Sequence, residues 1–407
     1  MFQIEYPSGS ELEKEIKRNV PLIPLKVNAH VHSPYSFSAF ESIEQAVKLA
    51  HDEGIKVLGI NDFFVTDGYE EFARNCIRSG IFPLFNIEFI GLNRDDQQKG
   101  IKVNDPTNPG RTYMSGKGLS YPQLENPENK KMLEGLKHEA SVQILSMIDK
   151  LNALIGSLGA DFRISETEIL NTIARNLVRE RHLAKMLRIK VTENFSTENE
   201  QVDFFTKLYG GKKPSFSLSD SAAFENEIRN NLLKAGGSAF VPETEKAFPV
   251  LEQICNYIIN AGGIPTYPIL GDDAKGNFTE FEADVQQFGK ILLERGIFSV
   301  EFIPNRNTLA MLSKYAEYLY DIGFVVSFGT EHNTPALTPL EVSCRDSKLS
   351  EKLLEINYKG ACVIAAHQYL KSSGLEGYID KSGKWDRGKR DSFEKLGNVL
   401  ILNMINR

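Results

Sequence analysis

Long apolar runs are missing from this chain. Nowhere in its 407 residues is there a window near the roughly 18 consecutive apolar residues that a membrane span needs. The opening MFQIEYPSGSELEKEIKRN has no apolar segment of the kind a secretion signal carries. The expectation is a cytoplasmic protein with no membrane partner. Cysteine is scarce too: Cys76, Cys255, Cys344 and Cys362 lie far apart and form no Cys-x-x-Cys pair. That spacing offers neither a thiolate metal knuckle nor a disulfide framework, so the four are read as reduced packing residues. Basic charge is not in excess. The 47 Lys and Arg against 54 Asp and Glu leave a net charge of −7, which argues against a nucleic-acid partner. A small-molecule substrate suits such a chain, and an oligomer is left open. With 41% hydrophobic and 25% charged residues, the length allows one large α/β barrel with an insertion, or about two or three smaller domains.

What is present is a rhythm. From Pro24 the chain alternates LKVNAH, a helical pattern over 42–53, KVLGIN, a helical pattern over 68–79, and IFPLFNIEF. That is the strand and helix alternation of parallel βαβ units. Ser42, with Gln45 three residues on, reads as a helix start, and Gly54 as its end. The rhythm returns with GGIPTYPIL, a helix around 278–295, GIFSVEFIPN, a helix around 308–321, and GFVVSFGTEHN.

Between about 91 and 248 the parallel rhythm is absent, and so long a structureless connection is implausible inside a compact domain. An inserted helical subdomain is expected there. Ile144, Ile148, Leu151 and Ile155 fall at helical spacing. Ser165-Glu166-Thr167-Glu168 reads as a capping box for a second helix through Ile169, Ile173 and Leu177. Arg175, Arg179 and His182 share a face of that helix, read as solvated, with an anion contact as the alternative. The preceding GIKVNDPTNPGRTYMSGKGLSYP is rich in turn formers, and its Arg111, Tyr113, Ser115 and Lys117 are candidates for a lid or anion clamp. The resulting division is 1–91 for the first part of the barrel, 92–248 for the insertion, 249–360 for the second part, and 361–407 for a C-terminal helical extension.

Parallel barrels deliver side chains to the loops after their strands, so polar residues at strand ends are candidates for function. The first strand ends in His30-Val31-His32, where period-two alternation sends both imidazoles to one side. Asp62 ends the second strand, Glu88 lies on the third, and Glu331, His332 and Asn333 end the last. Imidazoles and carboxylates together suit Zn²⁺, Mn²⁺ or Fe²⁺. Asp62 beside two such imidazoles is expected to accept a second ring N–H or to take a proton from water.

The stretch NAHVHSPYSFSAFESIEQAVKLAHDEGIKVLGINDF resembles the opening of the polymerase and histidinol phosphatase (PHP) family of metal-dependent phosphoesterases. Those proteins carry His-x-His-Ser-x-x-Ser, a Ser-Ile-Glu-Glu-Ala helix and Gly-Ile-x-x-Leu-Gly-Ile-Thr-Asp-His. Weaker matches continue through Glu88, GGIPTYP, EFIPN and FGTEHN. The resemblance implies a distorted (β/α)7 barrel with up to three metal ions at the strand C-termini. It also exposes departures: Phe63 replaces the histidine of Asp-His, Tyr267 that of Ala-His-Pro, and Glu331-His332-Asn333 the final Asp-x-His. What remains implies one divalent ion per chain on His30, His32, Glu88 and Glu331, with His332 competing for the last place and His138 and His182 as further histidines to consider.

These residues lead to the expectation of a phosphoesterase that uses a metal-activated water on a small, anionic, phosphorylated metabolite. Asp62, Tyr267 and Arg306 are its catalytic candidates. Arg111, Lys117, Arg306 and Asn333 are its substrate-binding candidates, because a phosphoryl group with one metal needs other cationic or polar partners. A metal-dependent isomerase or lyase of a sugar-like substrate, and a non-catalytic binding barrel, are the alternatives.

Overall fold

Seven short runs form the strands of one sheet in the computed structural model, which describes residues 2–124 and 126–406. They are β1 (Val27–Val31), β2 (Val57–Phe63), β3 (Phe82–Leu92), β4 (Arg111–Lys117), β5 (Ile264–Ile269), β6 (Ser299–Phe302) and β7 (Val325–Phe328). Their order in the sheet follows the sequence. Neighbours are parallel except β4, which runs antiparallel to both β3 and β5. The edges then meet: Thr330 and Glu331 N–H donate to the His30 carbonyl at 3.1 and 2.9 Å, and His32 N–H donates to the Glu331 carbonyl at 2.7 Å. This is a nearly closed, distorted α/β barrel. Among the described residues no helix is long and apolar enough to cross a membrane.

Strand alternation sorts the side chains. On β1, Val31 joins the outer apolar core, while Asn28 and His30 point inward. On β6, Val300 and Phe302 lie in that core, whereas Ser299 bonds Thr266 across the interior at 2.8 Å and Glu301 reaches His30 at 2.9 Å. The interior of this barrel is therefore polar, and the apolar burial that stabilises it lies between the strands and the helices outside. Each Leu, Ile or Phe fully buried there contributes about 1.5–3 kcal/mol.

The helices Ile43–Asp52 and Leu309–Asp321 begin where hydroxyls cap them: Ser42 accepts from Gln45 N–H, and Thr308 from Met311 N–H. Phe278 to Arg295 is less regular than expected, with its helix confined to Val285–Glu294 behind an Asp284 cap.

Three expected boundaries move. The segment 92–248 is not wholly an insertion, because β4 supplies a barrel strand. Its inward residues are polar, which hid it from an apolar-rhythm reading. The helix expected from Ser165 through Leu177 ends at Thr172, and a separate helix runs Glu180–Asn194 with Arg179 at its N-cap. Arg175 is exposed and shares no helix face with Arg179. Finally, the division at 360/361 falls inside one continuous helix, Glu351–Ser372, that belongs to the barrel. Its Asn357 accepts from Phe328 N–H at 2.8 Å and donates to Val27 O at 3.2 Å, and its Gln368 accepts from Phe85 N–H at 2.9 Å. Backbone groups that the irregular sheet leaves unpaired are satisfied by this helix.

The helices from Pro127–Ser157 onward build a second core from Ile144, Ile148, Leu151 and Ile155 with Leu183, Leu187, Phe205 and Phe224. This layer leans on the barrel mouth, where His182 packs edge-on against Phe37 at 4.8 Å and the Arg179 guanidinium lies 4.6 Å from the Phe63 ring centre.

Close packing of the 351–372 helix on β7 is directly testable. A Cβ at Gly360 would come within 1.8 Å of the Val326 carbonyl oxygen, whereas one at Gly135, in the 127–157 helix, meets nothing within 4 Å. Gly360→Ala is expected to destabilise the protein by at least about 1–3 kcal/mol. Gly135→Ala should stabilise it by about 0.5–1 kcal/mol. Denaturant unfolding of the two variants checks this, and equal midpoints would contradict the packing described.

Candidate metal centre

Three buried side chains converge at the mouth of the barrel. His30 Nε2 and His32 Nε2 lie 3.2 Å apart, and Glu88 Oε2 lies 3.1 Å from His32 Nε2 and 3.9 Å from His30 Nε2. Period-two geometry brings together the imidazoles of His30, on β1, and His32, just past its end, and β3, two strands away across β2, delivers Glu88.

The network assigns the tautomers. His30 Nδ1 sits 2.9 Å from Glu301 Oε2, and Lys117 Nζ ion-pairs with the same carboxylate at 2.5 Å. Burial pushes the Glu301 carboxyl up, but Lys117 and then His30 overcome it and hold the group well below the usual carboxylate range. An ionised carboxylate only accepts, so His30 Nδ1 carries a hydrogen, and in the neutral ring Nε2 then holds the lone pair. Ser36 donates its hydroxyl to Asp62 Oδ1 at 2.6 Å and so accepts from His32 Nδ1 at 3.1 Å. His32 Nε2 is likewise a bare acceptor. Asn61 Nδ2 is 3.0 and 3.2 Å from the two His30 nitrogens, which places it over the ring rather than along either lone pair.

Glu88 Oε2, fully buried, has no hydrogen-bond partner among the described residues. Two lone pairs and an unsatisfied carboxylate oxygen thus face one point, an arrangement that repels itself unless a proton or a cation sits there. These three residues are the group among the described residues whose ligand atoms lie close enough, all within 4.8 Å, to hold a metal ion. Burial lifts the Glu88 carboxyl to about 8; His30 and Lys117 pull it down, while Glu331 and Glu301 add to the rise.

The other expected site residues fall in several places. Glu331 does not join the cluster: its carboxylate pairs with Arg306. The strand ends at Phe328, and Glu331 and His332 both adopt left-handed backbone, with φ of 64° and 56°, so that Glu331 can close the barrel onto β1. Strand alternation therefore does not extend to Glu331 and Asn333. His332 turns away, bonded to Thr330 and Thr338 and stacked on Phe40.

Asp62 contacts no imidazole nitrogen directly. It stands 3.9 Å from His32 Nδ1, reaches it through Ser36, and also accepts from Ser33 N–H and Oγ. Tyr267 is not in the site, because alternation on β5 turns Thr266 inward and sends Tyr267 out to Phe288, its hydroxyl donating to Glu282 at 2.8 Å. Lys117 is not an exposed clamp but a fully buried cation beneath His30. His182 is packed in the helical layer, and His138 lies on the 127–157 helix.

Above the cluster opens a cavity of about 910 Å³. Glu88, Glu331, Arg306, Asn333, Arg111 and Tyr113 line its barrel side; Arg179, Arg181, Arg229 and Lys234 line the side made by the helical layer. Arg111 stacks 4.2 Å over Phe248 and lies 3.6 Å from Glu243. Phe37 and Phe64 at the rim also have positive φ, a concentration of backbone strain at the mouth. Glu301 was missed from the sequence, although a lone carboxylate inside the apolar FSVEFIP was its signal.

Residues 28–209 match the family model of the PHP domain. No curated protein matches the sequence. Among solved structures, a Bifidobacterium adolescentis protein assigned as a metal-dependent phosphoesterase superposes with a TM-score of 0.54 at 14% identity, covering 81% of this chain and 95% of that one. At that identity the likeness speaks for the fold. A Chromobacterium violaceum amidohydrolase, solved with sulfate and no metal, gives a TM-score of 0.47 at 14% identity over 82% of this chain and 96% of its own.

Two outcomes follow from the geometry. Lys117→Met strands Glu301 as a buried, unpaired charge and should cost about 3–5 kcal/mol in denaturant unfolding; a loss below about 1 kcal/mol would mean that the pair does not hold the interior. Because the folded-state pKa of Glu88 is raised, its proton is retained near neutrality and must leave when a metal enters. Apparent metal affinity should therefore rise with pH up to about 8 and level off above it, with proton release on uptake. Calorimetric titrations in buffers of different ionisation enthalpy read this, and proton-free uptake at about pH 7 contradicts it.

Proposed function

We propose, from the match of residues 28–209 to the PHP-domain model, that this chain is a metal-dependent hydrolase cleaving a phosphoester in a small anionic metabolite. The observation that carries the reading is the convergence of His30 Nε2, His32 Nε2 and Glu88 Oε2 beneath a cavity lined by arginines. The three residues would hold one divalent ion, and their mixed imidazole and carboxylate donors suit Zn²⁺, Mn²⁺ or Fe²⁺. Such an ion supplies Lewis-acid polarisation of a phosphoryl oxygen and lowers the pKa of water.

The chain's own residues do the rest. Glu301 and the Ser36–Asp62 pair fix the two ring orientations, as outer partners of ligating histidines do. Arg306, close to Glu331 at the cavity floor, is placed to take up charge on a phosphoryl group, with Arg111 and Asn333 lining the same space. Phe63, packed 4.9 Å from His32 and covered by Arg179, excludes water from one side of the centre.

Metal analysis beside a phosphoester panel tests this reading. About one tightly held ion per chain is expected, together with phosphate release that chelation abolishes. His32→Ala should lose both. Asp62→Asn should keep the fold while weakening metal affinity about 10–100-fold. Two or three ions per chain, or turnover indifferent to chelation, would sink the proposal.

A further inference from the structure

The cavity wall made by the helical layer holds two cations that have no ion pair among the described residues, Arg181 and Lys234. Arg179, Arg181, Arg229 and Lys234 line that wall together with the carboxylates Glu139, Glu180 and Glu243. Those carboxylates are already engaged: Glu139 accepts from the Thr244 hydroxyl, Glu243 faces Arg111 at 3.6 Å, and Arg229 grips Glu180 through Nε at 2.9 Å and Nη2 at 2.6 Å, with Arg179 approaching Glu180 at 3.9 Å. Arg181 makes no ion pair among the described residues. Its guanidinium donates to the neutral Asn226 Oδ1 at 2.8 Å and lies 5.8 Å from the Phe37 ring centre. Lys234 likewise has no ion pair among the described residues.

A cation taken from water without a counter-charge is destabilising unless an anion completes it. The strain is felt at Arg181: burial and the neighbouring Arg229 bring its pKa down to about 10, against the pull of Glu180 and Glu331. Its planar, five-donor guanidinium matches an oxyanion better than a monopole would.

We propose that Arg181, with Lys234 and Arg229, forms a second anion site on the helical layer, taking a phosphate group of the ligand distinct from the group presented to the metal ligands. The substrate class is then a metabolite with two anionic groups, one held at each wall of the same cavity. Only this assignment of the ligand as substrate rests on the hydrolase reading; the anion site itself does not.

The test titrates inorganic phosphate, and separately acetate, into metal-stripped full-length protein, so that binding at the metal centre does not contribute. Phosphate should bind with an affinity that falls as salt rises, and more tightly than acetate. Arg181→Gln, and independently the exposed Lys234→Gln, should each weaken phosphate binding about 10-fold or more, with unfolding midpoints showing that both variants are folded. His32→Ala, which loses the metal centre, should bind phosphate as the parent does. Phosphate binding that is absent from the parent, unchanged in both folded variants, or lost in His32→Ala overturns the second site. Acetate binding as tightly as phosphate overturns its assignment to a phosphate group. Failure of the phosphoester panel with these results intact would instead remove the hydrolase reading and leave the anion site standing.

Discussion

The buried ion pair between Lys117 and Glu301 is the interaction on which the rest of the site depends. A barrel filled with Asn28, Asn61, Asn86, Ser115, Thr266 and Ser299 cannot rely on apolar packing inside and must satisfy every polar group it encloses. Lys117 makes an ionised Glu301 tolerable at depth; Glu301 in turn fixes the His30 ring, and that ring presents Nε2 to His32 and Glu88. Stability and chemistry share one chain of contacts, running from the interior of the sheet to its mouth. At the top of that chain Glu88 Oε2 has no hydrogen-bond partner among the described residues, and its convergence with two imidazole nitrogens is what makes the place a candidate metal site.

Much of this was legible from residue spacing. Two histidines at i and i+2 after an apolar run can only share a face of a strand, and the structure has them 3.2 Å apart at Nε2. The same rule held a signal that apolar rhythm concealed. Arg111, Tyr113, Ser115 and Lys117 stand at i, i+2, i+4 and i+6, and on β4 they share one side, descending from the cavity wall to the Glu301 pair. A strand whose inward face is polar looks like a turn-rich loop when hydrophobicity is the only guide. Alternation would also have sent Tyr267 outward, since Thr266 and Tyr267 cannot face the same way.

Glu331 marks the limit of such reasoning. Two consecutive non-glycine residues with positive φ follow β7, and they exist because their backbone closes the barrel onto His30 and His32. That constraint is set by a segment about three hundred positions earlier in the chain, so no local pattern announces it. The helical layer is a milder case. Its own core follows helical periodicity, but the position of Arg179 and Arg181 over the barrel mouth depends on how the two cores meet, at the Phe37–His182 and Phe63–Arg179 contacts.

The most direct test of the central claim is crystallographic. A crystal of the protein equilibrated with Zn²⁺ or Mn²⁺ and measured at the metal's absorption edge locates the ion by its anomalous signal. The account predicts one strong peak bounded by His30 Nε2, His32 Nε2 and Glu88, with Glu301 still on His30 Nδ1. A strong peak elsewhere with none between those three atoms would contradict it.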